Sequence, residues 1–242
     1  MATQFSTLNE SSLHKTLKKL YSIQKEGSQT EVELDGHVYD IVTTDNQVIE
    51  IQNLNVSKLF NKCKDALEKG RKVTIVHPVI IEKTICLVKN DGSVKKRKSP
   101  KKGSIYSLCR ELTGIYPLLL EKNFKLEVPL ITISEIREQT DYPVQSKNNK
   151  RRIKRDWIKT NKQLEKIIDI KTFNSKSDYI ALLPIELPEL FTIKDVKNKL
   201  SENKELPSSA CINANILLWL LSKMNLISKI DKKGKAYVYK IN

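Results

Sequence analysis

Residues 37–52 read HVYDIVTTDNQVIEIQ. Two apolar runs, His37 to Thr43 and Gln47 to Gln52, flank a short polar turn, the layout of an antiparallel hairpin. Each run holds one acid: Asp40 in Tyr39-Asp-Ile-Val42, and Glu50 in Val48-Ile-Glu-Ile-Gln52. An acid in an apolar strand is unfavourable unless it has a partner or a task. The turn decides whether the two meet. A two-residue turn pairs Ile41 with Glu50 and sends Asp40 to the opposite face. A three-residue turn, Thr44-Asp45-Asn46, pairs Asp40 with Glu50, and Asn46 tolerates the left-handed conformation such turns require. Glu50 and Gln52 are two apart and share a face. Two carboxylates on one sheet face would suit Mg2+ with several waters retained.

Outward from this hairpin the pattern is regular. Leu13, Leu17 and Leu20 recur at helical spacing with lysines between them, predicting a helix over 10–24 that ends at Gly27. A strand over Glu31 to Leu34 precedes the turn Asp35-Gly36. Val56, Leu59, Phe60, Cys63 and Leu67 give a helix over 56–69, and Lys72 to Val76 a buried strand. The expected order is helix, three strands, helix, strand.

That order, with Asp40…Glu50-Ile51-Gln52, resembles the PD-(D/E)XK (restriction-endonuclease-like) nuclease superfamily over roughly residues 10–77. The resemblance implies that Asp40, Glu50 and the Ile51 carbonyl hold Mg2+, which polarises the phosphodiester and activates the attacking water. Two departures stand out. Tyr39 occupies a position where that family often has Pro, and Gln52 replaces its usual Lys. Glutamine supplies no charge, so the resemblance turns attention to Lys58 and Lys62 on the following helix. It also makes Glu10 on the first helix an additional acid, with His14 one turn on.

Further along, a hairpin is expected from Ile80 to Lys98 around Asp91-Gly92, a short helix over Ser104 to Leu112, and a strand over Lys125 to Ile133. The chain carries 43 Lys and Arg against 28 Asp and Glu, a formal charge of +15. Most of that excess sits in two blocks, residues 89–102 and 147–159, each with seven basic and one acidic side chain. Solvated faces interleave signs, whereas these blocks do not. Clustered cations displace counterions from a nucleic-acid backbone, which nominates Lys95, Lys96, Arg97, Lys98, Lys150, Arg151, Arg152, Lys154 and Arg155 as phosphate contacts. A flexible basic linker that aids solubility is the plainer alternative.

The last 80 or so residues predict helix, turn, helix, hairpin. Thr192 caps a helix carrying Ile193, Val196 and Leu200, a second helix runs from Ser209 to Met224, and a hairpin turns at Asp231 to Gly234. This resembles a winged helix-turn-helix over roughly Lys159–Asn242. The resemblance implies that Ser208, Ser209, Asn213 and Lys223 face a groove while Lys232, Lys233 and Lys235 meet the backbone. Docking or dimerisation is the other use of such a unit.

The expected organisation is therefore α/β (α+β): a nuclease-like mixed sheet flanked by helices over 1–137, a basic linker over 138–158, and a small winged-helix domain over 159–242. Four scattered cysteines and three histidines exclude a disulfide framework and structural zinc. No apolar run approaches the ~18 residues of a membrane span, and the first residues lack a secretory layout, so a cytoplasmic location is expected. Two function classes remain. One is a Mg2+-dependent DNA endonuclease, in the manner of a restriction or defence enzyme. The other is a non-catalytic winged-helix DNA-binding protein or regulator on the same fold. Double-stranded DNA is the expected partner, RNA a weaker one, and a homodimer stays open.

Overall fold

The structure, a computed structural model, describes residues 11–146 and 152–242. Helix α1 (Ser12–Ile23) starts at Ser11, whose side chain accepts from the His14 N–H. Strands β1 (Gln29–Leu34), β2 (His37–Val42) and β3 (Gln47–Ile51) follow, then a 3-10 turn at Val56–Leu59, α2 (Phe60–Glu68) and β4 (Lys72–Val76). The expected helix, three strands, helix, strand is present. β1, β2 and β3 are antiparallel, and β4 joins β3 in parallel.

Period-two alternation assigns the helices to opposite faces. Ile49 and Ile51 cluster with Leu13 and Leu17 of α1, whereas Val48 clusters with Cys63 and Ala66 of α2. The sheet is thus flanked by helices in a mixed α+β architecture.

Beyond β4 the chain departs from expectation. β5 (Val79–Val88) and β6 (Val94–Lys98) form the predicted hairpin, and α3 (Leu108–Leu112) the predicted short helix. The strand expected to end at Ile133 is instead β7 (Phe124–Val144), 21 residues long. It returns as β8 (Arg155–Phe173), so the described parts of the expected linker are largely strand, and the boundaries drawn at 137 and 158 fall inside β7 and β8. β4 and β5 lie in succession along one edge of β7, and β8 along the other. Pro143 falls where the register breaks between Gln139 and Val144, a place where the missing N–H costs no ladder bond.

α4 (Lys176–Ile180), β9 (Phe191–Thr192), α5 (Ile193–Glu202), α6 (Ser209–Lys223), β10 (Ile227–Lys233) and β11 (Ala236–Ile241) complete the chain. A second sheet has the order β10-β11-β9. Thr192 and Asp195 form a reciprocal cap on α5, with the Thr192 N–H donating to Asp195 Oδ2 at 2.7 Å. One apolar core runs from Val48, Cys63 and Val73, through Leu108, Cys109 and Leu112, to Leu217, Leu218, Leu220 and Leu221 of α6. No helix among the described residues is long and apolar enough to cross a membrane.

Candidate functional site

The turn joining β2 to β3 is the three-residue one. The Thr43 N–H donates to the Gln47 carbonyl at 2.9 Å, and Asn46 takes φ 63°. Ile41 faces Ile49 and Val42 faces Val48, so one further step brings Asp40 opposite Glu50. At that step side chains replace the backbone ladder. The Asp40 N–H donates to Glu50 Oε1 at 3.1 Å, and the Ile51 N–H donates to Asp40 Oδ2 at 2.8 Å. Asp40 turns toward α1 and Glu50 toward α2, so the expectation that the two acids share one sheet face is corrected; each carboxylate instead accepts from a backbone N–H of the other strand.

Each is gripped from a different helix. Lys62 Nζ of α2 lies 2.6 Å from Glu50 Oε1. The same ammonium donates to the Val38 carbonyl and sits 4.7 Å from the centre of the Tyr39 ring. Tyr39 thus provides a cation-binding face for Lys62. From α1, His14 Nε2 donates to the Ile51 carbonyl at 2.7 Å and lies 3.4 Å from Asp40 Oδ2. A carbonyl cannot donate, so Nε2 carries the proton.

These surroundings push the two acids apart. Burial opposes ionisation of Asp40, but His14, the Ile51 N–H and the Lys18 charge outweigh it and hold the carboxyl below its ordinary value. Burial pushes Glu50 up to about 7; Asp40 adds to the rise, against the pull of Lys62. A carboxyl pair with diverging affinities for protons is a common mark of acid–base or ligand sites, although structural networks produce it too.

The remaining expected residues divide. Gln52 does not join the pair; its side-chain amide donates to the Leu54 carbonyl, and its own carbonyl accepts from His77 Nδ1 at 2.6 Å. Lys58 is exposed on the 3-10 turn, so Lys62 is the lysine brought to Glu50. Glu10 lies outside the described residues. Among the described residues no group of three His, Cys, Asp or Glu is placed to hold a metal ion. Asp40 and Glu50 are suitable hard donors for Mg2+, but Ile51 O already accepts from His14 and Glu50 Oε1 is held by Lys62. The expected ligand set fits the cation incompletely.

The described strand residues of the two basic blocks lie on one sheet. β6 lies beside β5, β5 beside β7, and β7 beside β8, making a four-stranded ribbon. At 3.3–3.4 Å per residue β7 extends for about 70 Å. Lys95, Lys96, Arg97 and Lys98 are all exposed on β6, and Arg152, Lys154 and Arg155 are exposed where β8 begins. Lys150 and Arg151 fall outside the described residues. Asn90, in the β5–β6 turn, donates to Asp141 of β7 at 2.6 Å, tying the hairpin to the long strand.

One buried acid in this ribbon escaped the sequence reading. Glu135 is 1% exposed and meets Lys83 at 2.9 Å, Lys159 at 3.0 Å and the Arg137 Nε at 2.9 Å. Burial acts against its charge, but these three cations prevail and bring its pKa down to about 2. The available signal was the one used for Asp40: an acid within the apolar run Ile131-Thr-Ile-Ser-Glu-Ile136. Beside it, the Arg137 guanidinium stacks 3.7 Å from the centre of the Trp157 ring.

In the C-terminal unit the expected groove-facing set is corrected. Asn213 is buried and donates to the Ser209 carbonyl at 3.1 Å. Ser208 and Lys223 are exposed and Ser209 half-buried. α6 packs on α5 and also on α3, with Tyr116 and Trp219 in edge contact at 5.7 Å. Lys232, Lys233 and Lys235 are exposed at the β10–β11 turn, and Lys229 and Lys232 flank the Tyr237 ring at 4.3 and 5.1 Å.

These features define a mixed α+β protein with a cross-strand carboxylate pair and a long basic ribbon. Residues 11–174 match the family described as a domain of unknown function (DUF8091), and the chain belongs to it. It is also similar to an uncharacterized protein of Treponema pallidum (strain Nichols), 28% identical over 236 residues that cover 97% of this chain and 86% of that protein. No solved structure matches the chain.

Proposed function

We propose that this chain binds double-stranded DNA through the ribbon of β6, β5, β7 and β8, on a scaffold of nuclease type. The observation that carries this reading is the placement on one sheet of Lys95 to Lys98 in β6 and Arg155 and Lys159 in β8, drawn from two basic blocks about fifty residues apart in sequence. Cations held on a rigid sheet neutralise phosphates at a lower entropic cost than cations on a linker, and two-stranded ribbons fit the major groove. The order β9-α5-α6-β10-β11 supports a winged-helix reading of the C-terminal unit. In that reading Lys232, Lys233 and Lys235 add backbone contacts, while α6, packed against α3, serves docking more than groove recognition. Fluorescence anisotropy with a labelled duplex tests the proposal. Binding should weaken linearly in log–log salt titration, by about 0.9 per phosphate contacted. Salt-independent binding, or none at low salt, overturns it.

One observation favours a second reading, a Mg2+-dependent endonuclease. Lys62 reaches Glu50 from the helix after β3 and could supply the positive charge that Gln52 lacks. Asp40 and Glu50 would hold the cation, which lowers the pKa of a water and polarises the phosphodiester. Because the ligand set fits incompletely, no reaction step is assigned. Plasmid incubated with Mg2+, Mn2+ or EDTA decides between the readings. Cleavage that needs the metal and disappears in Glu50→Ala supports catalysis; intact plasmid throughout leaves a binding protein.

A further inference from the structure

The two faces of the ribbon differ. Lys95 and Arg97 line one side, close to Arg137 and Trp157. Lys96 and Lys98 line the other, beside a cavity of about 570 Å3. The strand registers explain its floor. Lys98 pairs with Thr84, Thr84 with Ser134 and Ser134 with Gln163, so the two inner strands of this row carry small hydroxyl residues where a sheet core would carry large apolar ones. Thr132 and Ser99 add two more hydroxyls, and Lys102 enters from the segment after β6. That segment is pinned down: the Gly103 N–H donates to Ile81 O at 2.9 Å, and a Cβ at Gly103 would meet the Ile80 carbonyl oxygen at 1.9 Å.

The charges in this cavity are unevenly committed. Lys83 is held by Glu135, and Lys98 lies 4.0 Å from Glu82. Glu165 is the other acid in the lining. Lys96 and Lys102 have no ion pair among the described residues. Uncommitted amines above a hydroxyl floor match an oxyanion with several acceptor oxygens. The volume exceeds that of a phosphate alone, and Ile133 is the one large apolar side chain in the lining, so the ligand's organic body is polar rather than aromatic or fatty.

We propose that this cavity binds a phosphomonoester carried on a sugar-like body. The proposal goes beyond duplex binding and does not depend on it. Two sources share the chemistry, a free sugar phosphate and the 5′-phosphorylated end of a nucleic acid. Ribose 5-phosphate and ribose, titrated calorimetrically into the full chain, are the first arm. Duplexes with 5′-phosphate or 5′-hydroxyl ends are the second. Saturable binding of ribose 5-phosphate but not ribose, or tighter binding of the phosphorylated duplex, is expected in at least one arm. The double variant Thr84→Val, Ser134→Ala removes both hydroxyls without adding bulk, and should weaken that binding about tenfold or more. Lys102→Gln, on a surface segment, is the second variant should the first unfold. Lys95→Gln with Arg97→Gln, on the other face, should weaken duplex binding generally and leave ribose 5-phosphate untouched. If neither arm discriminates the phosphate, or if the cavity variants bind as the parent does, the site is refuted. Absence of general duplex binding by the parent protein refutes only the ribbon reading.

Discussion

The ribbon and the C-terminal unit both end in basic hairpins, yet they use the surfaces behind those hairpins in opposite ways. In the ribbon, β6 projects with all five residues exposed, and its charge faces solvent on both sides of the sheet. In the C-terminal unit, the helix behind the hairpin is buried against α5 on one side and α3 on another. Equal basicity at the level of sequence therefore corresponds to unequal access. A cluster of lysines reports what a hairpin can touch, whereas the helix packed behind it decides whether bases can be reached.

Three measurements can break or sharpen this contrast. The largest effect should come from Leu217→Ala in α6. Leu217 is fully buried in the shared core, so its loss should cost about 3 kcal/mol and lower a single thermal transition. Two separate transitions would show that the C-terminal unit is an independent body and undo the contrast. Next, Lys95, Lys96, Arg97 and Lys98 changed together to Gln should reduce duplex affinity on the order of a hundredfold at low salt and flatten its salt dependence. Lys232, Lys233 and Lys235 changed together should cost only a few-fold, and Ser208→Ala with Ser209→Ala nothing measurable. The reverse ranking would return recognition to α6.

The smallest effect concerns the carboxylate pair and is read by pH. Glu50 holds its proton more tightly in the fold than in the unfolded chain, so its contribution is largest below the ordinary value of 4.5 and is lost as pH rises through about 7. Glu50→Gln should flatten that part of the stability curve, followed by urea denaturation between pH 4 and 8 (roughly one pKa span either side). Asp40 has the opposite sign: its stabilisation is present above its ordinary carboxyl value and fades as pH falls below it. An unchanged profile in Glu50→Gln would mean that Lys62 neutralises the site across the whole range.

The hairpin at 37–52 was legible because local chemistry fixed it. Asn46 alone among the turn residues had to adopt positive φ, and that choice set the register of Asp40 and Glu50. The faces of the two acids were not legible, since His14 and Lys62 arrive from helices on opposite sides of the sheet. Residues 138–158 read as a linker because their charges hide any alternation; the strand conformation of Arg155 to Ile158 comes from pairing with β7 rather than from their own pattern. For α6 the signal was present and read too narrowly. Ile216-Leu-Leu-Trp-Leu-Leu221 is apolar all round, which marks a helix covered on more than one side.

β8 has a consequence of its own. It pairs only with β7 among the described residues, so a 19-residue strand presents a row of open N–H and C=O groups along the outside of the sheet. A bare edge of that length invites a second chain to zip onto it. Lys159, Lys162, Lys166 and Lys171 punctuate this edge, and four register breaks distort its ladder. Like-charged side chains along a strand disfavour edge-to-edge pairing between copies. A polyanion that neutralised them would lower that barrier and bring two such edges within reach of each other, so crowding along the polymer could begin from the strand itself.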